Sequence, residues 1–352
     1  MKKLLSIAAA VLLAGAGCIQ ITGSGSGGND GGLWKSANKG AAWAQASSIA
    51  TVGAPRAFNN VNTTKMAFDA SDPKALYVGT DSGLFYSYDS AGSWTYAASL
   101  GGVRVSGLAV HPTEKCTVYV GTGNRINLTR DCSRTWTNVY VDTRPQAQVV
   151  EVIADFFNTG VVYAAMSTGD VLKSTDNGNS WSAIHRFDGE VSQFVMSRAD
   201  SRILWIVLKD KGIWKSTDAG ASWTDLTSEF GTFANSLGSV HIVEDRATPN
   251  AWLTSSTYGL LRSTDGGASW KSIPLLTPSG SIAIFSLAVN PKNSNELWYG
   301  TVNTLYRSVN GGAKWTTSHL PTTRAASELE VDPNDQNVLY MGTTLIQKKS
   351  AI

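Results

Sequence analysis

An octapeptide written seven times constrains this 352-residue chain more than any other feature. STDGGASW stands at Ser263 to Trp270. Its variants are SANKGAAW (Ser36 to Trp43), SYDSAGSW (Ser87 to Trp94), TRDCSRTW (Thr129 to Trp136), STDNGNSW (Ser174 to Trp181), STDAGASW (Ser216 to Trp223) and SVNGGAKW (Ser308 to Trp315). Successive copies start 51, 42, 45, 42, 47 and 45 residues apart. A motif used once can be a site, but one used seven times at near-even spacing is architecture. A period in the forties with several short strands per unit marks a β-propeller.

The units read alike. Ser106 to Thr137 runs SGLAV, HPTEKC, TVYVGT, GNR, INLT and then the octapeptide, with a further strand starting at Trp136. That is four strands, A to D, joined by three turns. The octapeptide is the C–D turn. Its first residue ends strand C, and Asp or Asn two residues on accepts backbone N–H groups of the following loop. Glycine at the fifth position permits positive φ, and Trp at the eighth opens strand D and buries its ring. Asn38, Asp89, Asp131, Asp176, Asp218, Asp265 and Asn310 are therefore read as turn staples, with Trp43, Trp94, Trp136, Trp181, Trp223, Trp270 and Trp315 as their packing partners. Ala91 and Ser133 replace the fifth-position glycine in two copies.

Six complete units begin near Thr64, Val105, Val149, Val191, Gly238 and Ile282. The C-terminus supplies strands A and B (SELEV, VLYMGT), and the N-terminus supplies GLWKS, a turn and WAQA. Together the two ends make a seventh blade and leave no open sheet edge. GLWKS and LIQKKS compete for its strand C. The expected fold is all-β: a single seven-bladed propeller over residues 33–352, with the last blade closed by both termini.

Residues 1–17 read as a signal peptide, with Lys2 and Lys3 before an apolar Leu4 to Ala14 too short to span a membrane. GAGC ending at Cys18 resembles a bacterial lipoprotein signal, which implies lipidation of Cys18. An ordinary cleaved signal is the other reading. Residues 18–32, rich in Gly and Ser, are a tether. Ile19 is not the Asp that retains Gram-negative lipoproteins in the inner membrane. An exported, envelope-anchored chain is expected, in the outer membrane if the cell is Gram-negative. The two remaining cysteines, Cys116 at the start of strand B and Cys132 in the C–D turn, fall at the same end of a blade and are expected to pair.

The octapeptide resembles the Asp-box (BNR) repeat, SxDxGxxW, across nearly the whole mature chain. The resemblance implies a propeller, with owners as different as sialidases, xyloglucanases, the sortilin ectodomain and photosystem II assembly factors, so it does not fix function. A sialidase would carry three arginines, a Tyr–Glu pair and an Arg-Ile-Pro motif near the N-terminus; APRAF around Arg56 does not match that motif, and no Tyr–Glu pair stands out. Asp81 in TDSG resembles the acid-bearing loop of xyloglucanases, which have two propellers.

Function is expected on the face formed by the B–C and D–A loops. Its binding candidates are Arg56, Arg104, Arg125, Arg144, Arg186, Arg324 and Tyr258, where arginines would dock carboxylates or sulfates. Solvated loop charges with local pairs are the competing reading. Asp142, Asp188 and Glu190 are interspersed. If the chain is a glycosidase instead, Asp81, Asp170 and Asp210 are the candidate acids. His111, His185, His241 and His319 show no metal-ligand spacing. No cofactor is expected, and a net charge of +2 gives no reason to expect nucleic acid. His111 occupies a turn position where sister units carry Asp or Asn. The expected function is non-enzymatic binding of a protein, peptide or glycan at the cell envelope.

Overall fold

A computed structural model describes residues 28–346 as a ring of seven four-stranded antiparallel sheets. The signal segment, Cys18, the tether up to residue 27 and residues 347–352 lie outside the described residues. Strands A to D are Thr63–Phe68, Leu76–Thr80, Gly83–Ser87 and Thr95–Tyr96 in blade 1. In blade 2 they are Gly107–Val110, Val118–Thr122, Arg125–Thr129 and Thr137–Val141. Blade 3 has Val149–Ala154, Val162–Met166, Asp170–Ser174 and Ser182–Arg186. Blade 4 has Val191–Met196, Leu204–Leu208, Gly212–Ser216 and Thr224–Asp225. Blade 5 has His241–Asp245, Ala251–Ser255, Leu260–Ser263 and Lys271–Ile273. Blade 6 has Ser286–Asn290, Asn293–Gly300, Thr304–Ser308 and Thr316–His319. Blade 7 joins Ala325–Val331 and Leu339–Thr344 to Leu33–Ser36 and Ala44–Gln45.

Strand C of blade 7 is Leu33–Ser36, paired with Leu339–Thr344, so the N-terminal candidate takes the contested position. Closure is thus made by backbone hydrogen bonds between the two ends of the chain. Seven apolar clusters fill the seven gaps between neighbouring blades, the gap between blades 7 and 1 included. Burying both faces of every sheet in this way is what keeps the ring closed.

The repeated turn explains the octapeptide. In Ser216–Trp223, Ser216 Oγ donates to Asp218 Oδ1 at 2.8 Å and accepts the Gly220 N–H at 2.9 Å. Asp218 Oδ1 accepts the Ser222 N–H at 2.8 Å, and Asp218 Oδ2 accepts the Ser222 hydroxyl at 2.5 Å. All seven copies share the first three bonds. The hydroxyl bond occurs only in the five Asp copies. The two Asn copies have Ala42 and Lys314 at the seventh position, where no hydroxyl needs a second carboxylate oxygen. Positions four and five are both left-handed in every copy, including Ala91 (φ 66°), Ser133 (φ 65°) and Lys39 (φ 61°). The tryptophan precedes strand D by one residue rather than opening it. Only Trp94 and Trp270 are fully buried, the other five being half-buried. The ring lies back over its own turn, as where Trp223 approaches Gly220.

An aromatic of strand B, one residue after the partner of the turn's first residue, hydrogen-bonds to the next blade in four cases. Tyr119 donates to the Asn177 carbonyl, Tyr163 to Ala219, Trp298 to Lys39 and Tyr340 to Ser90, all on fourth-position carbonyls of the adjacent turn. The last two pairs join blade 6 to 7 and 7 to 1. The glycine of the recurring VGT is equally positional. A Cβ on Gly121 would lie 2.4 Å from Val149 of the next blade, and one on Gly342 would lie 2.5 Å from Thr63 across the closing seam.

In six blades the fourth residue of the turn donates its N–H to a carbonyl two residues before the strand-B partner of the turn's first residue, as Ala219 does to Arg202. In blade 2 these two positions are Cys132 and Cys116. They form the expected disulfide, with a Cα–Cα distance of 4.1 Å. His111 also plays a turn role: its Nδ1 accepts the Glu114 N–H at 2.9 Å, as Asp69, Asp155 and Asp332 carboxylates accept at the same place in their blades.

Candidate functional site

The B–C hairpins and D–A loops share one face, and blade 3 brings the most polar side chains together there. Tyr140 and Asp142 end strand D of blade 2 and begin the loop to blade 3. Asp170 opens strand C of blade 3, and Arg186 ends its strand D. Arg144 Nη2 donates to Asp142 Oδ2 and to Asp170 Oδ2, both at 2.7 Å. Arg144 Nε reaches Asp142 Oδ1 at 2.9 Å, and Arg186 Nε reaches Asp170 Oδ1 at 2.5 Å. The Thr168 hydroxyl donates to Asp170 at 2.8 Å, and the Tyr140 hydroxyl to Asp142 at 3.3 Å.

The two carboxylates are buried, and because both touch one nitrogen their oxygens lie no farther apart than twice 2.7 Å. That spacing suits a glycosidase pair, but the charges do not. The Arg144 hydrogen bonds hold Asp142 down at about 2. Burial pushes the Asp170 carboxyl up, but hydrogen bonds from Arg144, Thr168 and Arg186 outweigh it, leaving Asp170 below its ordinary value. Both are anions at neutral pH, and neither holds the proton a general acid must donate.

Asp81 and Asp170 stand on different blades, two apart around the ring, and Asp81 is engaged locally. It accepts the Asn62 N–H at 3.2 Å and its side-chain amide at 2.8 Å. Asp210 is exposed at the tip of the blade 4 hairpin, with φ 56°.

The arginines do not make one patch. Arg56, Arg104 and Arg125 are exposed and have no carboxylate partner among the described residues. Arg144 and Arg186 neutralise buried acids. Arg324, expected on the binding face, is only 2% exposed. Its guanidinium donates to the carbonyls of Val61 and Asn60 and to Asn62 Oδ1, and it lies 3.5 Å from Asp30. The entering N-terminal segment covers it, so Arg324 is a structural clasp. Tyr258 is half-buried, with its ring 5.2 Å from Phe233.

Beside Arg186 lies a recess of about 390 Å³ between blades 3 and 4, lined by His185, Arg186, Phe187, Asp188, Leu208, Lys211 and Trp214. Phe187 packs edge-on to Trp214 and Trp223, and His185 lies 4.4 Å from Phe187. Burial lowers the His185 pKa, favouring the neutral ring. A second recess, of about 490 Å³, shares Arg186, Phe187 and Asp188. Among the described residues Arg186 bonds only through Nε, and with its side chain 65% exposed at the edge of both recesses its two terminal nitrogens have no partner there.

The channel holds polar residues that the sequence reading missed. Lys65 pairs with Glu151 at 2.5 Å. Glu151 accepts the Leu108 N–H from the neighbouring strand A, and Gln193 exchanges two bonds with the Ile242 backbone, at 2.8 and 3.0 Å. These side chains satisfy backbone groups along the inner edge strands. Burial pushes Glu328 up to about 8 and His241 down to about 4. The available signal was a long polar side chain near the start of strand A, at Lys65, Glu151, Gln193 and Glu328, each following a register shift.

No family model matches the chain, and none of the curated proteins matches it. Among solved structures it is similar to a family GH74 xyloglucanase from Xanthomonas campestris (TM-score 0.63, 17% identity), over 84% of this chain and 52% of that one. It therefore spans about half the length of that enzyme. It is similar to YCF48 bound to D1 peptide (TM-score 0.63, 14% identity), over 81% of this chain and 94% of that one. It is also similar to the extracellular domain of BT4673 from B. thetaiotaomicron (TM-score 0.59, 14% identity), over 82% and 42%. At these identities what is shared is the fold: the chain is a β-propeller of a kind that hydrolases and binding domains both use.

Proposed function

We propose that this chain is an exported Asp-box propeller, anchored through Cys18, that binds a peptide or protein loop without transforming it. Its site is the B–C/D–A face at the junction of blades 3 and 4. The aromatic recess of the same surface also suits a glycan. The observation that carries the reading is the Asp142–Arg144–Asp170–Arg186 network. Both neighbouring acids are fixed as anions, while Arg186 keeps a free two-nitrogen fork beside the Phe187–Trp214 recess. Such a fork takes a carboxylate bidentately, and the recess takes an apolar or aromatic neighbour. YCF48, a structure the chain matches almost end to end, was solved with a peptide, which agrees with this reading. The hydrolase reading has one point in its favour, the short Asp142–Asp170 separation, and the low proton affinity of both acids weighs against it.

The test is an array of peptides bearing carboxylates next to aromatic residues, probed with the full chain and with Arg186→Gln. Loss of a bidentate charge-assisted pair costs about 1.5–3 kcal/mol, roughly a 10- to 100-fold weakening. Binding that ignores Arg186→Gln overturns the site. Polysaccharide cleavage abolished by Asp170→Asn overturns the non-enzymatic reading.

A further inference from the structure

We infer that one arc of the B–C/D–A face, from blade 6 through blades 7 and 1 to blade 2, lies against the membrane surface. The inference builds on the export and anchoring part of the proposed function, and it assigns an orientation and a lipid contact that the ligand reading does not contain.

The first observation is topological. In six blades a hairpin joins strands B and C at this face. In blade 7 those strands are Leu339–Thr344 and Leu33–Ser36, so the chain enters and leaves where the missing hairpin would be. The entry is fixed. Gly31 donates to the Asn59 carbonyl at 2.7 Å, and Asp30 accepts from Thr323 N–H at 2.7 Å and from the Thr322 and Thr323 hydroxyls. Nine residues, Ile19 to Gly27, separate Gly28 from Cys18. Their full contour is at most about 36 Å. A lipid on Cys18 therefore holds this face, at blade 7, next to the bilayer.

The second observation is where the exposed apolar side chains fall. Val103, Leu276, Val302, Leu345 and Ile346 stand on loops or chain ends of this face, with Leu276 at 58% exposure, and Val52, at 108%, tips the Ser48–Ala57 hairpin that runs out beside Trp94 of blade 1; the opposite face exposes Tyr88, Phe156, Phe157 and Val309. The first six belong to the 7–1, 1–2 and 5–6 loops, the blade 6 hairpin and the end of strand B in blade 7, which flank the tether. The unpaired Arg56, Arg104 and Arg125 occupy the same arc. The exposed acids of the face, Asp188, Glu190, Asp210 and Glu229, sit on blades 3 to 5, the opposite arc, where Lys209 and Lys211 pair with Glu190 and Asp188. Scattered apolar tips among cations, beside the anchor and away from the acids, suit an interfacial contact with anionic headgroups. The Arg186 recess, between blades 3 and 4, then opens to the side and stays accessible.

The test uses the full chain, with Cys116 and Cys132 bridged and Cys18 lipidated, in vesicles of phosphatidylethanolamine and phosphatidylglycerol. An environment-sensitive fluorophore is placed in turn at Val52→Cys, Val302→Cys, Phe157→Cys and Val309→Cys. The last two lie on the opposite face, at 59% and 62% exposure, and serve as controls. The inference predicts a blue shift at 52 and 302, quenched by spin-labelled lipid, and none at 157 and 309. A shift at 157 or 309, or at no position, overturns it. A shift at 52 and 302 only when membrane proteins are added assigns the arc to a protein partner and also overturns it. Mass spectrometry of Cys18 separates the two claims. An unmodified Cys18 contradicts the anchor, and the same labels in a Cys18→Ser chain with vesicles in excess still decide the surface.

Discussion

Replacing the Cys116–Cys132 bridge by asparagines is expected to cost less than the cross-link alone contributes. The bridge closes a sequence separation of 16 residues. A loop of that size constrains the unfolded chain by about 3 kcal/mol on the chain-entropy account. The loss is not complete, because six sister blades make a backbone bond of 2.8 to 2.9 Å between the equivalent positions. Such a bond contributes about 1 kcal/mol net. Both cysteines have left-handed backbones, φ 67° and 60°, which asparagine tolerates well and valine does not. Cys116→Asn/Cys132→Asn should therefore lose about 2 kcal/mol, a Tm fall of about 4–8 °C. Cys116→Val/Cys132→Val should lose a further 1–3 kcal/mol per strained residue. Calorimetry of both variants in a Cys18→Ser background measures the difference. Equal Tm values for the two pairs would refute the claim that the turn imposes positive φ, and an Asn pair as stable as the parent would refute the entropic estimate.

Arg324→Met leaves Asp30 without its cation and the Gly28 and Asn60 carbonyls without their donor, and should cost about 3–5 kcal/mol with early proteolysis before Leu33. Gly342→Val forces side-chain atoms into Thr63 across the closing seam and should destabilise by about 1–3 kcal/mol, read as a lower denaturant midpoint. Gln193→Ala removes both bonds to Ile242 and should cost about 1–3 kcal/mol, with faster amide exchange at Ile242. Hydrogen bonds within the turns hold Asp131, Asp176, Asp218 and Asp265 at about 2, below the 3.8 of the unfolded chain. A depressed folded value means their contribution is present above pH 3.8 and is lost as pH falls towards 2. A Tm that stays level from pH 4 to pH 2 would contradict it.

Much of this architecture could be read directly because each turn is a local device. Ser, Asp and the fifth-position glycine satisfy one another within eight residues, so the sequence of each copy carries its own structure. Closure was legible from the strands left over at the two ends. The left-handed fourth position was not, because Lys39, Ser90, Cys132, Asn177 and Ala219 have no chemistry in common; the tertiary bond to the A–B turn imposes the conformation. The site was harder. Asp142, Arg144, Asp170 and Arg186 were each singled out, but their pairing depends on a D–A loop reaching a B–C hairpin, and spacing does not encode that. Arg324 was misplaced for a related reason: its loop is on the face, and a segment almost 300 residues away in sequence covers it. The channel residues were passed over because a long polar side chain near the start of strand A carries no pattern that marks it as facing the channel.

Carboxyl-detected NMR titration of Asp142 and Asp170 in the full chain tests the central claim most directly. The account predicts that both titrate below the ordinary carboxylate range, Asp142 near 2, and that Arg144→Gln raises both. A value well above that range for either acid in the parent protein would supply the missing proton donor and contradict the binding reading.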